Sequence, residues 1–223
     1  YDDAIARYGS DKPDLRFDLE IEDISSAVKG SDFKVFENVL MSGGQVKAIN
    51  VKGYSHISRR ELDGLVSFAS THGAKGLTWI CYTPEGIKSP IAKFISNKIM
   101  QQLFAAVNAE VGDLILIVAD KPAIVANVLG QLRLEMANRL NLIEPDKLAF
   151  LWVIDFPMFE YDDEDKRWVA MHHAFTSPRD EDVVFLDTQP GKIKAKAYDM
   201  VLNGTEIGGG SIRIYSRDLQ EKI

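Results

Sequence analysis

Tyr198-Asp-Met-Val-Leu-Asn-Gly-Thr-Glu-Ile-Gly-Gly-Gly-Ser-Ile-Arg213 reads as a β-hairpin whose arms carry two acids, three glycines and an arginine. Asn203-Gly204 between two strand-like runs is the strongest short-range signal for a two-residue type I′ turn. With that turn Leu202 faces Thr205, Val201 faces Glu206 and Asp199 faces Gly208. Cross-strand partners share a face, as do residues two apart, so Asp199 and Glu206 project to one side as diagonal neighbours, their backbones about 7–8 Å apart. Two carboxylates on one face repel unless a cation lies between them, and hard oxygen ligands suit Mg²⁺ held jointly with substrate phosphates. Gly208, Gly209 and Gly210 remove side chains next to the acids, so a ligand can lie flat against the backbone. The competing reading is a solvated hairpin with surface acids and a glycine bulge, and spacing alone does not separate the two.

Arg213 lies an odd number of residues from Glu206, so strict alternation turns it to the opposite face. A bulge within the three glycines returns it to the side of the acids. Regular pairing through Gly208–Gly210, with Arg213 opposed to Glu206, removes it from the site.

Outward from the hairpin, the chain has 223 residues, 46% of them hydrophobic, enough for one large domain or two modest ones. A formal charge of −7 argues against a nucleic-acid surface spread over the whole chain, while leaving room for a local basic strip. The single cysteine, Cys81, sits inside the apolar run Leu77–Tyr82, which excludes an internal disulfide or a cysteine metal cluster and reads as a small buried hydrophobe in a reducing cytoplasm. No apolar stretch approaches the ~20 residues needed to span a bilayer, and no signal peptide is visible. The chain opens at Tyr1 rather than methionine and is read as a piece of something longer.

Composition shifts twice along the chain. Tyr8–Arg16 is polar and turn-rich and leads into Phe17–Ile24, where apolar and acidic residues alternate, so residues 1–30 read as a connector and flank. Residues 31–142 read as a body of short strands interleaved with helices. Gln45–Val51 alternates as a strand, and Ser58-Arg-Arg-Glu61 is a capping box opening a helix that Gly73 closes. Gly76–Tyr82 and Asp113–Ala119 are strand-length apolar runs, and Ser96 opens a helix over Lys98–Asn108. Asp120-Lys-Pro122 is read as the cap of a helix with Ile124, Val128, Leu132 and Met136 at helical spacing and Arg133 and Arg139 off the stripe. Residues 143–223 hold Phe150–Ile154, Trp168–Met171 and the hairpin, consecutive strands that favour a separate antiparallel sheet.

Met171-His-His-Ala-Phe-Thr-Ser-Pro178 places two histidines at a strand end, where adjacent residues point opposite ways and at most one enters a given pocket. Without a third ligand at metal spacing the pair does not argue for zinc, and a structural role competes. Asp155, at a strand end running into Pro157, is either a site acid or a turn acid. His56 and His72 carry no assigned role, and Tyr161-Asp-Asp-Glu-Asp165 reads as a solvated loop.

Four stretches together, Tyr8–Arg16, Asp155–Glu160, His172–Pro178 and Tyr198–Arg213, resemble the bacterial-type aspartyl-tRNA synthetases, in the family's order and across nearly the whole chain. The middle body looks like the GAD insertion domain of that family. The resemblance implies an α+β fold, an inserted α/β GAD-type domain plus the antiparallel-sheet portion of a class II synthetase catalytic domain. It implies ATP-dependent activation of L-aspartate to aspartyl-adenylate and transfer to tRNA, by a cytoplasmic parent enzyme that is a homodimer. It further implies that Glu206 contacts ATP and its Mg²⁺, that Asp199 supports the metal, that His172 contacts aspartate, and that Arg213 pairs with the aspartate side-chain carboxylate. The family's motif 2 and motif 3 are missing from the sequence, and Ala174 stands where proline is common. The chain is therefore read as an internal fragment, inactive alone. The alternatives are a non-enzymatic GAD-type module associated with tRNA, which does not need Asp199, Glu206 and Arg213, and an unrelated Mg²⁺-dependent nucleotide binder.

Overall fold

A computed structural model describes every residue except Asp163. It is built of helices and antiparallel sheets. The chain divides into two compact units, one of residues 5–10 and 16–145, the other of residues 1–4, 11–15 and 146–223.

The first unit is organised on a five-stranded sheet. In chain order its strands are β1 (Ile21–Asp23), β2 (Gln45–Val51), β3 (Thr78–Thr83), β4 (Gly86–Lys88) and β5 (Leu114–Asp120), in spatial order β1-β2-β5-β3-β4. Every neighbouring pair is antiparallel. Residues 114–118 are all buried because both faces of the sheet are covered, which is why this strand reads as an unbroken apolar run. Leu114, Leu116 and Val118 pack with Leu62, Leu65, Val128 and Leu132, and Ile115 and Ile117 pack with Phe36, Met100, Leu103 and Phe104. Part of the stretch read as a connector, Phe17–Ile24, is thus the edge strand β1, paired from Ile21 opposite Ile49 to Asp23 opposite Lys47.

The helix signals resolve unevenly. The capping box is formed: Glu61 N donates to the Ser58 hydroxyl, and Ser58 N donates to the Glu61 carboxylate, opening the helix Arg59–Thr71. Ser96 caps Asn97–Ala106 by accepting from Ile99 N. Asp120 does not cap. The helix Pro122–Arg139 has Lys121 at its N-cap position without a side-chain cap, and Asp120 ends β5. Arg133 is buried at 1% exposure, correcting its reading as a residue outside the packed face. Its guanidinium lies over the Phe17 and Tyr8 rings, 4.1 and 5.0 Å from their centroids, and donates to the carbonyls of Leu19 and Phe17.

In the second unit the strands are β6 (Phe150–Ile154), β7 (Phe159–Asp162), β8 (Arg167–Ala170), β9 (Ala197–Leu202) and β10 (Thr205–Ser211). β10, β9 and β6 form one antiparallel sheet, whereas β7 and β8 pair only with each other. Of the run read as a solvated loop, Tyr161, Glu164 and Asp165 are exposed, but Tyr161 and Asp162 end β7 and Asp162 accepts from the backbone N–H groups of Glu164 and Asp165, while the expectation for Asp163 lies outside the described residues. Val153, Phe156, Met158, Ile193, Ala195, Ala197 and Val201 make the core beneath one face of the sheet.

Candidate active site

The hairpin turn is as the dipeptide requires. Asn203 and Gly204 have φ of 52° and 81°, the left-handed pair of a type I′ turn. Asn203 also ties the neighbouring strand, accepting from Ala149 N at 2.9 Å and donating to Lys147 O at 3.0 Å. Leu202 faces Thr205 and Val201 faces Glu206; then the register shifts, and Gly208 faces Met200, Gly209 faces Asp199 and Ser211 faces Ala197.

The extra residue is Ile207, one position ahead of the glycines rather than within them. The pairing of Asp199 with Gly208 expected from an unbroken ladder is replaced by Asp199 with Gly209. A Cβ on Gly209 would run into the Asp199 carboxylate, and one on Gly210 would meet the Tyr198 hydroxyl at 2.9 Å. The shift also changes parity. Asp199, Glu206, Gly209 and Ser211 share one face, and alternation continued past Ser211 carries Arg213 to that face.

Two sub-sites follow along it. In the first, the Lys12 ammonium lies 3.2 Å from the Glu206 carboxylate. Burial raises the pKa of Asp199, the Glu206 charge raises it further, and His172 and Lys12 oppose both. The Lys12 ammonium is held above its ordinary range by its hydrogen bond to Glu206, with Asp11 and Asp199 adding to the effect. This is a pair of repelling acids beside a cation, a charge arrangement that a divalent ion answers. Among the described residues no set of three or more His, Cys, Asp or Glu side chains converges to hold a metal by itself. Two carboxylates nevertheless fit Mg²⁺, which dehydrates reluctantly and takes one or two carboxylates together with substrate phosphates.

The second sub-site is a cavity of about 260 Å³ lined by His173, Phe175, Thr176, Ser211 and Arg213. Thr176 is bridged to Arg213, its hydroxyl donates to Ser211 Oγ at 3.3 Å, and Ile214 N donates to Phe175 O at 2.8 Å. These bonds run residues 175–177 alongside 212–214. The Arg213 guanidinium stands 4.3 Å from the centroid of the Phe175 ring.

The two histidines lie past the end of β8, His172 in a bend and neither on a strand, and they part company. His173 lines the arginine cavity, while His172 acts on Asp199, sits edge-on to Phe156 at 5.2 Å between centroids, and keeps a buried Nε2 with no hydrogen-bond partner among the described residues. Asp155, at φ 62° just past the end of β6, pairs with Arg179. Lys12, Phe175 and Thr176 join the site without having been singled out. All three lie inside stretches that carry the family resemblance, but neither spacing nor periodicity marks them individually.

Known proteins resemble the chain along its whole length. The GAD domain family matches residues 36–129. The aspartate–tRNA(Asp/Asn) ligase of Heliobacterium modesticaldum is 57% identical over 223 residues, which is all of this chain and 37% of that protein. That of Caldanaerobacter subterraneus subsp. tengcongensis is 52% identical, and the aspartate–tRNA ligase of Ruminiclostridium cellulolyticum 53%, each over the whole chain and 38% of the relative. The chain thus spans well under half the length of these relatives. With a match to the GAD domain family in its middle and more than half its residues shared along its full extent, the chain is similar to a segment of the aspartate–tRNA ligases.

Proposed function

We propose that this chain forms the aspartate-binding and part of the ATP-binding wall of an aspartate–tRNA ligase. In the reaction the aspartate α-carboxylate attacks the α-phosphate of ATP, pyrophosphate leaves, and the aspartyl group of the resulting adenylate passes to the terminal ribose of tRNA. Such chemistry needs positioning and charge neutralisation more than covalent help. Glu206 and Asp199 would hold Mg²⁺, which when bound neutralises phosphate charge. Arg213 would take the aspartate side-chain carboxylate as a two-point fork, a geometry that disfavours the neutral amide of asparagine because the guanidinium then loses its counter-charge. His172 is proposed to contact aspartate from beside Asp199. L-aspartate and tRNA as substrates are supported by the names of the relatives; ATP, a cytoplasmic setting and a homodimeric parent belong to the same proposal through the family resemblance alone. Alone, the 223-residue chain is proposed to be inactive, because the sequence has no motif 2 or motif 3 to complete the ATP site.

One observation carries this reading: the shift at Ile207 gives Asp199, Glu206 and Ser211 a common face, and alternation continued from Ser211 leads to Arg213. The test is aspartate-dependent exchange between ATP and pyrophosphate in the complete ligase. Arg213→Ala is expected to raise the aspartate KM by about 10- to 150-fold, the worth of a charged hydrogen bond, with the KM for ATP unchanged. Glu206→Gln is expected to raise the Mg²⁺ requirement. An Arg213→Ala enzyme with the parent's aspartate KM would sink the reading, and charging of tRNA by the isolated chain would sink its predicted inactivity.

A further inference from the structure

We infer that Phe175 is a positioning residue that presents the Arg213 fork to the aspartate side chain; this rests on the aspartate-binding reading of the cavity. A guanidinium is planar and sends all five N–H donors out within its own plane, so a neighbour on its flat face orients it without consuming a donor. The Arg213 guanidinium carbon lies over the Phe175 ring, 4.3 Å from its centroid, and the ring has no acceptor with which to compete for those donors. Among the described residues no carboxylate within ion-pair distance draws Arg213 aside.

The contact is built rather than incidental. Ile214 N donates to Phe175 O, Ser177 N donates to Ile212 O, and Thr176 is bridged to Arg213, so ring and guanidinium arise from backbones tied on both sides of them. Phe175 N donates to His173 Nδ1 at 3.2 Å, and the two ring centroids lie 4.7 Å apart, a second contact on the phenyl group. The ring is 40% exposed and stands outside the hydrophobic core of its unit. A large apolar side chain kept at the surface, one face against an arginine that has no carboxylate partner among the described residues, contributes little to the core and much to the direction of that arginine.

The test uses the complete ligase with three variants, following aspartate-dependent pyrophosphate exchange and thermal unfolding. Phe175→Leu is expected to raise the aspartate KM by about 3- to 30-fold, the span of cation–π strength from exposed to desolvated sites. kcat, the KM for ATP and the Tm should stay close to those of the parent. Phe175→Tyr, which keeps the ring, is expected to return the aspartate KM to within about twofold. An unchanged aspartate KM in Phe175→Leu, alongside a raised one in Arg213→Ala, overturns the inference and spares the aspartate site. Equal losses for ATP and aspartate with a lowered Tm, or failure of Phe175→Tyr to restore binding, overturn it in favour of a purely structural ring. An Arg213→Ala enzyme with unchanged aspartate KM removes the site reading and the inference together.

Discussion

Asp199 shows how one residue carries both the cost and the purpose of the site. Burial and the Glu206 charge raise its pKa above the ordinary 3.8. The folded chain therefore binds more protons than the unfolded chain in the pH window just above 3.8, and stability falls as pH rises through that window. Asp199→Asn is expected to raise the Tm at neutral pH and to leave it unchanged below pH 3.8, where the parent carboxyl is protonated in both states. Thermal unfolding across pH checks this, and a variant no more stable than the parent at neutral pH would contradict it. The identity of the acid was legible in the sequence, and so was its place on a strand beside Glu206. Its pKa was not, because the groups that set it, Lys12 and His172 among them, come from distant points of the chain.

Elements were legible where a local hydrogen bond decides them. The capping box at Ser58 is sequence-encoded because donor and acceptor lie three residues apart. Glu61 is held at a pKa of about 2, first by the Ser58 side chain, then by the Ser58 backbone and Tyr54. Since that is below its ordinary 4.5, its contribution is complete above pH 4.5 and is lost as pH falls through about 2. Ser58→Ala is expected to destabilise the chain by about 1 kcal/mol, measured by urea unfolding; an unchanged midpoint would show that the helix start is set elsewhere. The helix Pro122–Arg139 keeps its apolar stripe, and tertiary contact decides only the burial of Arg133. Helical spacing marks one stripe, but Phe17, Leu19 and Tyr8 cover a further side and take in Arg133, contacts separated by more than a hundred residues that no local pattern displays.

At the scale of the molecule, the chain passes repeatedly between its two units, since residues 5–10 and 16–145 belong to one and the rest to the other. The three-stranded sheet keeps a core on one face only. On the other, Phe150, Trp152 and Ile154 are 57%, 57% and 51% exposed, with Tyr198 beside them. Large apolar side chains gathered on one exposed face are costly in water. The isolated chain is therefore expected to bind a hydrophobic dye such as ANS, and Phe150→Lys with Trp152→Lys to lower that signal at least severalfold without changing the circular dichroism. Equal dye binding by both proteins would show that this face is not the exposed patch.

The sequence by itself determined the turn at Asn203-Gly204, the pairing of Val201 with Glu206, two capped helices and the antiparallel character of the hairpin sheet. Each of these depends on backbone preferences or hydrogen bonds acting over a few residues. Only the tertiary structure decided that the bulge falls at Ile207, that His173 and not His172 lines the cavity with Arg213, that Lys12 reaches Glu206, and that Arg213 rests against Phe175. The physical reason is common to all four. A one-residue shift reverses every side chain beyond it, and where such a shift falls, like the partners of a charge or a ring, is set by packing between segments far apart along the chain.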